Sequence, residues 1–106
     1  MEKSDIVDHV NAAAALLSAL ANPKRLLILR SLTQAEIPVG VLAAQVGLSQ
    51  SALSQHLSKL RAQKLVNTRR DAQTIYYSSS SEPVMKLLST LGEIYAPQPS
   101  RKKTAA

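Results

Sequence analysis

Cysteine, tryptophan and phenylalanine are all missing from the 106 residues, and glycine occurs only three times. Without cysteine there is no disulfide, no thiol switch and no thiolate metal site. Three tyrosines as the sole aromatics leave few platforms for base stacking, which disfavours single-strand recognition. No glycine-rich loop is present to cradle a phosphate, and no serine sits in a G-x-S-x-G elbow, so an enzyme is not expected. Long apolar runs are lacking too. The richest stretch, Ala12 to Ala21, is broken by Ser18 and falls well short of the roughly 20 residues of a membrane span. The opening MEKSDIVDHV carries three acids in its first eight residues, unlike a secretory signal, so the expected location is the cytoplasm, in association with the nucleoid.

Acidic residues are scarce in a patterned way. Thirteen Lys and Arg stand against seven Asp and Glu, a net charge of +6, and the isoelectric point is about 10.0. Such a balance favours nucleic acid or an acidic surface as partner. Between Glu36 and Asp71 there is no acid at all, whereas Lys59, Arg61, Lys64, Arg69 and Arg70 fall within that interval. The length suits one domain, and a chain this short buries only about 60–65% of the surface that its unfolded form exposes, so a second subunit would add needed burial. Residues 1–96 are expected to form that domain, with 97–106 as a disordered basic tail.

Hydrophobic periodicity predicts five helices and one hairpin. Val7, Val10, Ala14, Leu17 and Ala21 recur at helical steps over Ser4 to Ala21. Asn22-Pro23 reads as a cap and first residue of a second helix reaching Thr33, whose Leu26, Leu27, Ile28, Leu29 and Leu32 cover too much of its circumference for a surface position. Pro38 ends a loop, Val39 to Val46 makes a short third helix, and Gly47 supplies a left-handed stop. Ser49 caps a fourth helix from Gln50 to about Gln63, with Leu53, Leu57, Leu60 and Lys64 on one face. Two helices joined by Gly47-Leu48-Ser49 match a helix-turn-helix. From Leu65 the period falls to two, Asp71-Ala72-Gln73 makes a turn, and Thr74 to Ser78 completes a hairpin where a wing would lie. Ser81-Glu82-Pro83 opens the last helix, with Val84, Leu87, Leu88, Leu91 and Ile94 as its stripe. The expected class is mainly α with a β-hairpin: a dimeric winged helix-turn-helix of four helices, two strands and a fifth helix.

A basic stretch is often only a solvated face, but here the acid-free interval coincides with the elements that would approach phosphates. At about 100° per residue, Ser51, Gln55, Ser58 and Ala62 point away from the leucines of the fourth helix, with Ser54 and Lys59 on its shoulders. Gln and Ser in the first half of such a helix suit major-groove edges. Gln50, Ser51, Ser54, Gln55 and Ser58 are therefore candidates for base edges. Lys59, Arg61, Arg69, Arg70 and the turn residue Gln73 are candidates for the DNA backbone or minor groove. His56 flanks the apolar stripe, where a hydrogen-bonded, partly buried imidazole is the common state. His9 stands beside Asp5 and Asp8, a set better read as a hydrated helix face than as a metal site. Of Tyr76 and Tyr77, one is expected to pack inward and the other to face out.

The order of elements, together with GLSQSALSQHLSKLRAQKLV and TRRDAQTIYY, resembles the ArsR/SmtB family of winged-helix repressors from about Val10 to Tyr95. The pattern is carried by Ser54, His56-Leu57, Leu60 and Leu65-Val66, and by the opening Asn22-Pro23-Lys24-Arg25. The resemblance implies a homodimer joined through the first and last helices, with Val10, Leu17, Leu87, Leu91 and Ile94 as the candidate interface. Family members commonly sense metals through a Cys-x-Cys pair or through His and acid ligands on the last helix. Here Pro38 and Gly40 stand where the thiolates would be and the last helix has no His, so no metal cofactor is expected. The leading expectation is a sequence-specific repressor on double-stranded operator DNA. A small-molecule-responsive repressor with an unknown effector, and a protein-interaction module with a merely solvated hairpin, are the alternatives.

Overall fold

The computed structural model describes residues 3–96; the expected tail at 97–106 lies outside them. Five helices and three strands follow in the order α1 (Lys3–Leu20), α2 (Pro23–Gln34), β1 (Ile37–Pro38), α3 (Val39–Val46), α4 (Gln50–Ala62), β2 (Asn67–Asp71), β3 (Thr74–Ser78) and α5 (Glu82–Tyr95). Local chemistry sets most of the boundaries. The Asn22 side chain accepts from the amides of Lys24 and Arg25, and Pro23 fills a first-turn position that needs no donor. Gly47 ends α3 at φ 69, and the Leu48 amide reaches back to the Ala43 carbonyl at 2.9 Å, closing the helix with a left-handed residue that glycine adopts without strain. Ser49 and Ser81 cap α4 and α5 through the amides of Ala52 and Val84.

The core gathers around α2. Ile28, Leu29 and Leu32 meet Leu42 and Val46 of α3, Leu53, Leu57 and Leu60 of α4, and Val84 of α5 in one buried cluster. Leu27 departs from the expectation for this helix and stays 44% exposed; it lies on the side that lines an open groove beside α5. Helix α1 joins the core only toward its carboxyl end, through Ala19 and Leu20 with Leu16 partly buried against it.

Three further differences have physical causes. The loop expected before α3 contains an edge strand, β1, which pairs with β3 so that the sheet order is β1-β3-β2; Pro38 is tolerated there because an edge strand does not need every N–H. Lys64 does not continue the apolar face of α4. It lies beyond the helix at φ 58, and the Leu65 amide returns to the Leu60 carbonyl at 3.0 Å, so the chain turns sharply and drops Leu65 and Val66 side by side into the core. Strand pairing then starts at Asn67, and Asp71 pairs with Thr74, leaving a two-residue turn of Ala72 and Gln73.

The first turn of α2 binds its neighbours together. Lys24 Nζ donates to the Val46 carbonyl at the end of α3 at 2.6 Å. Arg25, 8% exposed, donates from Nε to the Ala19 carbonyl at 2.6 Å and from Nη2 to the Ser18 carbonyl at 3.3 Å, placing a cation on the carboxyl end of α1, where orphan carbonyls and the helix dipole favour it. Ser79 does similar work at the far side, donating from Oγ to the Leu65 carbonyl at 2.6 Å and from its amide to the Leu32 carbonyl at 2.9 Å. Replacing Arg25 with Met keeps the buried stem but strands these acceptors. Arg25→Met is expected to lose about 2–3 kcal/mol, read as a lower urea midpoint at unchanged m-value. Arg25→Lys is expected to recover only part, because an ammonium lacks the planar fork.

Candidate nucleic-acid interface

Two surfaces carry the polar and basic residues singled out in the sequence. The first is the outer face of α4, where Gln50, Ser51, Ser54, Gln55, Ser58, Lys59 and Arg61 are all exposed while Leu53, Leu57 and Leu60 are buried. Ser49 occupies the Ala52 amide at 3.1 Å, and the amino end of the helix points its remaining first-turn amides outward, where a phosphate is favoured. Gln50 leans toward α3, its Nε2 lying 3.7 Å from where a Cβ on Gly40 would stand. Ser51 and Gln55 stand on the exposed face of the helix.

The second surface is the β2–β3 wing. Alternation splits its residues between two faces. Ile37 and Tyr77 are register partners and both buried, so the face they share packs on the core. The other face carries Pro38, Tyr76 and Arg69 in register across the three strands. Arg69 lies over the Tyr76 ring at 4.5 Å and binds Glu36 at 2.7 Å. That ion pair holds the Glu36 carboxyl below its usual range and raises Arg69 further. Arg70 is paired in register with Ile75 and has no ion-pair partner among the described residues. With Gln73 it leaves the wing tip polar and basic. The sequence grouped Arg69 with Arg70; the structure separates them.

His56 links α4 to the frame beneath. Its Nδ1 lies 3.3 Å from Arg25 Nη1. A guanidinium has only donors, so Nδ1 accepts and the imidazole is neutral with its proton on Nε2. Glu36 and the acceptor role of His56 were missed in the sequence because both depend on partners more than 30 residues away. Among the described residues no group of three His, Asp or Glu is placed to hold a metal ion, and His9 is exposed on α1. No single described helix is long and apolar enough to cross a membrane.

A helix-turn-helix with an acid-free polar second helix, followed at once by a basic wing, is the build of a regulator that docks on double-stranded DNA. The pattern of the "Bacterial regulatory protein, arsR family" matches residues 22–68. The chain is 74% identical over 88 residues to the nodulation protein NolR of Rhizobium meliloti, covering 83% of this chain and 72% of that one. The transcriptional activator HlyU of Vibrio cholerae is 49% identical over 83 residues, 78% and 77% of the two chains. The crystal structure of NolR from Sinorhizobium fredii superposes with a TM-score of 0.85 at 64% identity, over 92% of this chain and 97% of that one. A homodimeric winged helix-turn-helix domain from Mycobacterium bovis gives 0.78 at 29% identity, over 88% and 86%. The chain belongs to the ArsR family and is a DNA-binding transcriptional regulator, not an enzyme.

His56 also makes stability depend on pH. Burial first, then the charges of Arg25 and Lys59, hold its imidazole below the usual value of 6.5. As pH falls from about 6.5 the unfolded chain takes up the proton before the folded one, so stability is fully present above that pH and is lost toward the lowered folded value. The Tm is expected to drop between neutral pH and mildly acidic buffer, and His56→Gln, which keeps an acceptor, is expected to flatten that drop. An equal drop in both proteins would remove His56 as its source.

Proposed function

We propose that the chain works as a homodimeric repressor on an imperfect palindrome in the cytoplasm, without a metal cofactor, using residues 1–96 for pairing and DNA contact and 97–106 as a basic tail. One observation carries the pairing. Val10, Leu17 and Ile94 are 58%, 57% and 60% exposed in the single chain, and Leu17, Leu87 and Leu91 line a wholly apolar groove of about 340 Å³ between α1, α2 and α5. An exposed apolar strip of this kind marks an interaction surface, and a second copy of the same helices matches it. The homodimeric Mycobacterium bovis domain supports the same reading. Two-fold symmetry then sets the recognition helices about 34 Å apart, one turn of duplex. Occupancy of such a site near a promoter blocks polymerase, which makes repression the default outcome.

The roles divide by chemistry. Gln50, Ser51, Ser54, Gln55 and Ser58 read base edges, while Lys59, Arg61, Arg69, Arg70 and Gln73 hold the backbone. A small-molecule-responsive form of this regulator is favoured by one feature, an open groove of about 720 Å³ between α2 and α5 lined by Leu26, Leu27, Leu88 and Leu91 with Arg30 among them.

Two experiments test the reading. Leu17→Glu or Leu91→Glu is expected to convert a dimer to monomer in sedimentation at micromolar protein, since an unpaired charge is costly in an apolar contact; a wild-type monomer would refute the pairing. For contacts, the palindrome recovered by selection from randomised duplexes is compared with its scrambled form at several salt concentrations. Gln55→Ala is expected to cost about 1–3 kcal/mol on the selected site and to relax base preference. Arg70→Ala is expected to weaken both duplexes alike and reduce the salt slope by about one per protomer. Base preference lost with Arg70 and kept without Gln55 would assign sequence reading to the wing.

A further inference from the structure

Glu36 stands just before β1 and reaches across the sheet to the wing. Arg69 Nε donates to Oε1 at 3.1 Å and to Oε2 at 3.0 Å, and Nη2 donates to Oε1 at 2.7 Å. The guanidinium is held from beneath by the Tyr76 ring at 4.5 Å, its register partner on β3. To an arginine fork, a carboxylate and a phosphodiester offer the same thing, a pair of anionic oxygens at matching spacing. The position that a wing arginine would offer to the DNA backbone is therefore already filled from within the chain.

Stability does not account for this arrangement. The two side chains are 51% and 39% exposed, and an ion pair so open to water and salt adds little to stability. Charge patterning makes the placement more specific. From Glu36 the next acid along the chain is Asp71, the last residue of β2, so the helix-turn-helix and β2 as far as Arg70 are free of acids, and the carboxylate just before them is bound to a wing cation.

We propose that Glu36 is a specificity-determining residue that stands in for a phosphate. In the free protein it occupies the fork of Arg69 and so withholds one backbone contact per protomer from any duplex. The contact is released only where the rest of the interface holds a phosphate close enough to displace the carboxylate. Non-specific binding is almost wholly electrostatic, so it loses proportionally more than binding at the cognate site, and discrimination rises. This inference rests on the reading that the wing lies along the DNA backbone.

The test uses the full chain, the selected palindrome and its scrambled form. Glu36→Gln is expected to tighten binding to the scrambled duplex by about threefold to tenfold and to steepen its salt slope by about 0.9 per protomer, the signature of one added phosphate contact. The selected palindrome is expected to gain less. In an Arg69→Ala background Glu36→Gln is expected to change nothing; the same gain in both backgrounds would mean plain repulsion between the carboxylate and DNA and would overturn the proposal. Arg70→Ala separates the two levels of failure. An unchanged slope for Arg70→Ala removes the wing from the DNA, and the inference falls with that reading. A reduced slope for Arg70→Ala with no effect of Glu36→Gln sinks the role of Glu36 alone.

Discussion

One turn of helix, Asn22-Pro23-Lys24-Arg25, holds the geometry that the rest of the molecule uses. Asn22 satisfies the first amides of α2, Lys24 closes the end of α3, and Arg25 closes the end of α1 while meeting His56 of α4. Two consecutive cations thus sit on carbonyl groups that their own helices leave unbonded. Burying a guanidinium is expensive unless its donors are matched, and among the described residues no buried side-chain polar atom lacks a partner. Helix α4 is consequently referenced to α1 through a single side chain, and under the proposed contacts a fixed α4 is what would let small residues such as Ser51 and Ser54 discriminate between bases.

Formal charge overstates what this protein offers to DNA. Lys24 and Arg25 are spent on helix ends, and Arg69 is bound to Glu36 in the free protein, which leaves Lys59, Arg61, Lys64 and Arg70 as exposed cations without an ion-pair partner among the described residues around the two proposed contact surfaces. The +6 of the sequence therefore describes solubility and long-range steering better than it describes contacts. Under the proposed contacts, base-edge chemistry from neutral Gln and Ser takes correspondingly greater weight in selecting a site.

Much of the fold is legible in the sequence because it is local. Caps at Asn22, Ser49 and Ser81 and the stop at Gly47 depend on residues one to five positions away, and their side chains state their role. The exposed polar face of α4 follows from helical period and three leucines. What escaped is long-range or strained. Strand β1 exists only because β3 offers an edge to Ile37 and Pro38. Lys64 adopts a left-handed conformation that its residue type does not announce, and this turn, rather than alternation, buries Leu65 and Val66 together. Glu36 lies 33 residues from Arg69, so nothing near either residue in the chain signals their union.

The protomer is extended, with a Cα radius of gyration of 16.7 Å against about 13 Å for a compact chain of this size. Helix α1, anchored only at its carboxyl end, accounts for part of that excess. Under the proposed pairing, the missing core of each copy is supplied by the other, so folding of the arm and assembly draw on the same free energy. Below the association threshold, dimer abundance then grows with the square of protomer concentration. Operator occupancy inherits that steepness, so a modest change in synthesis or dilution by growth switches the regulated promoter more sharply than one independently folded binding unit could.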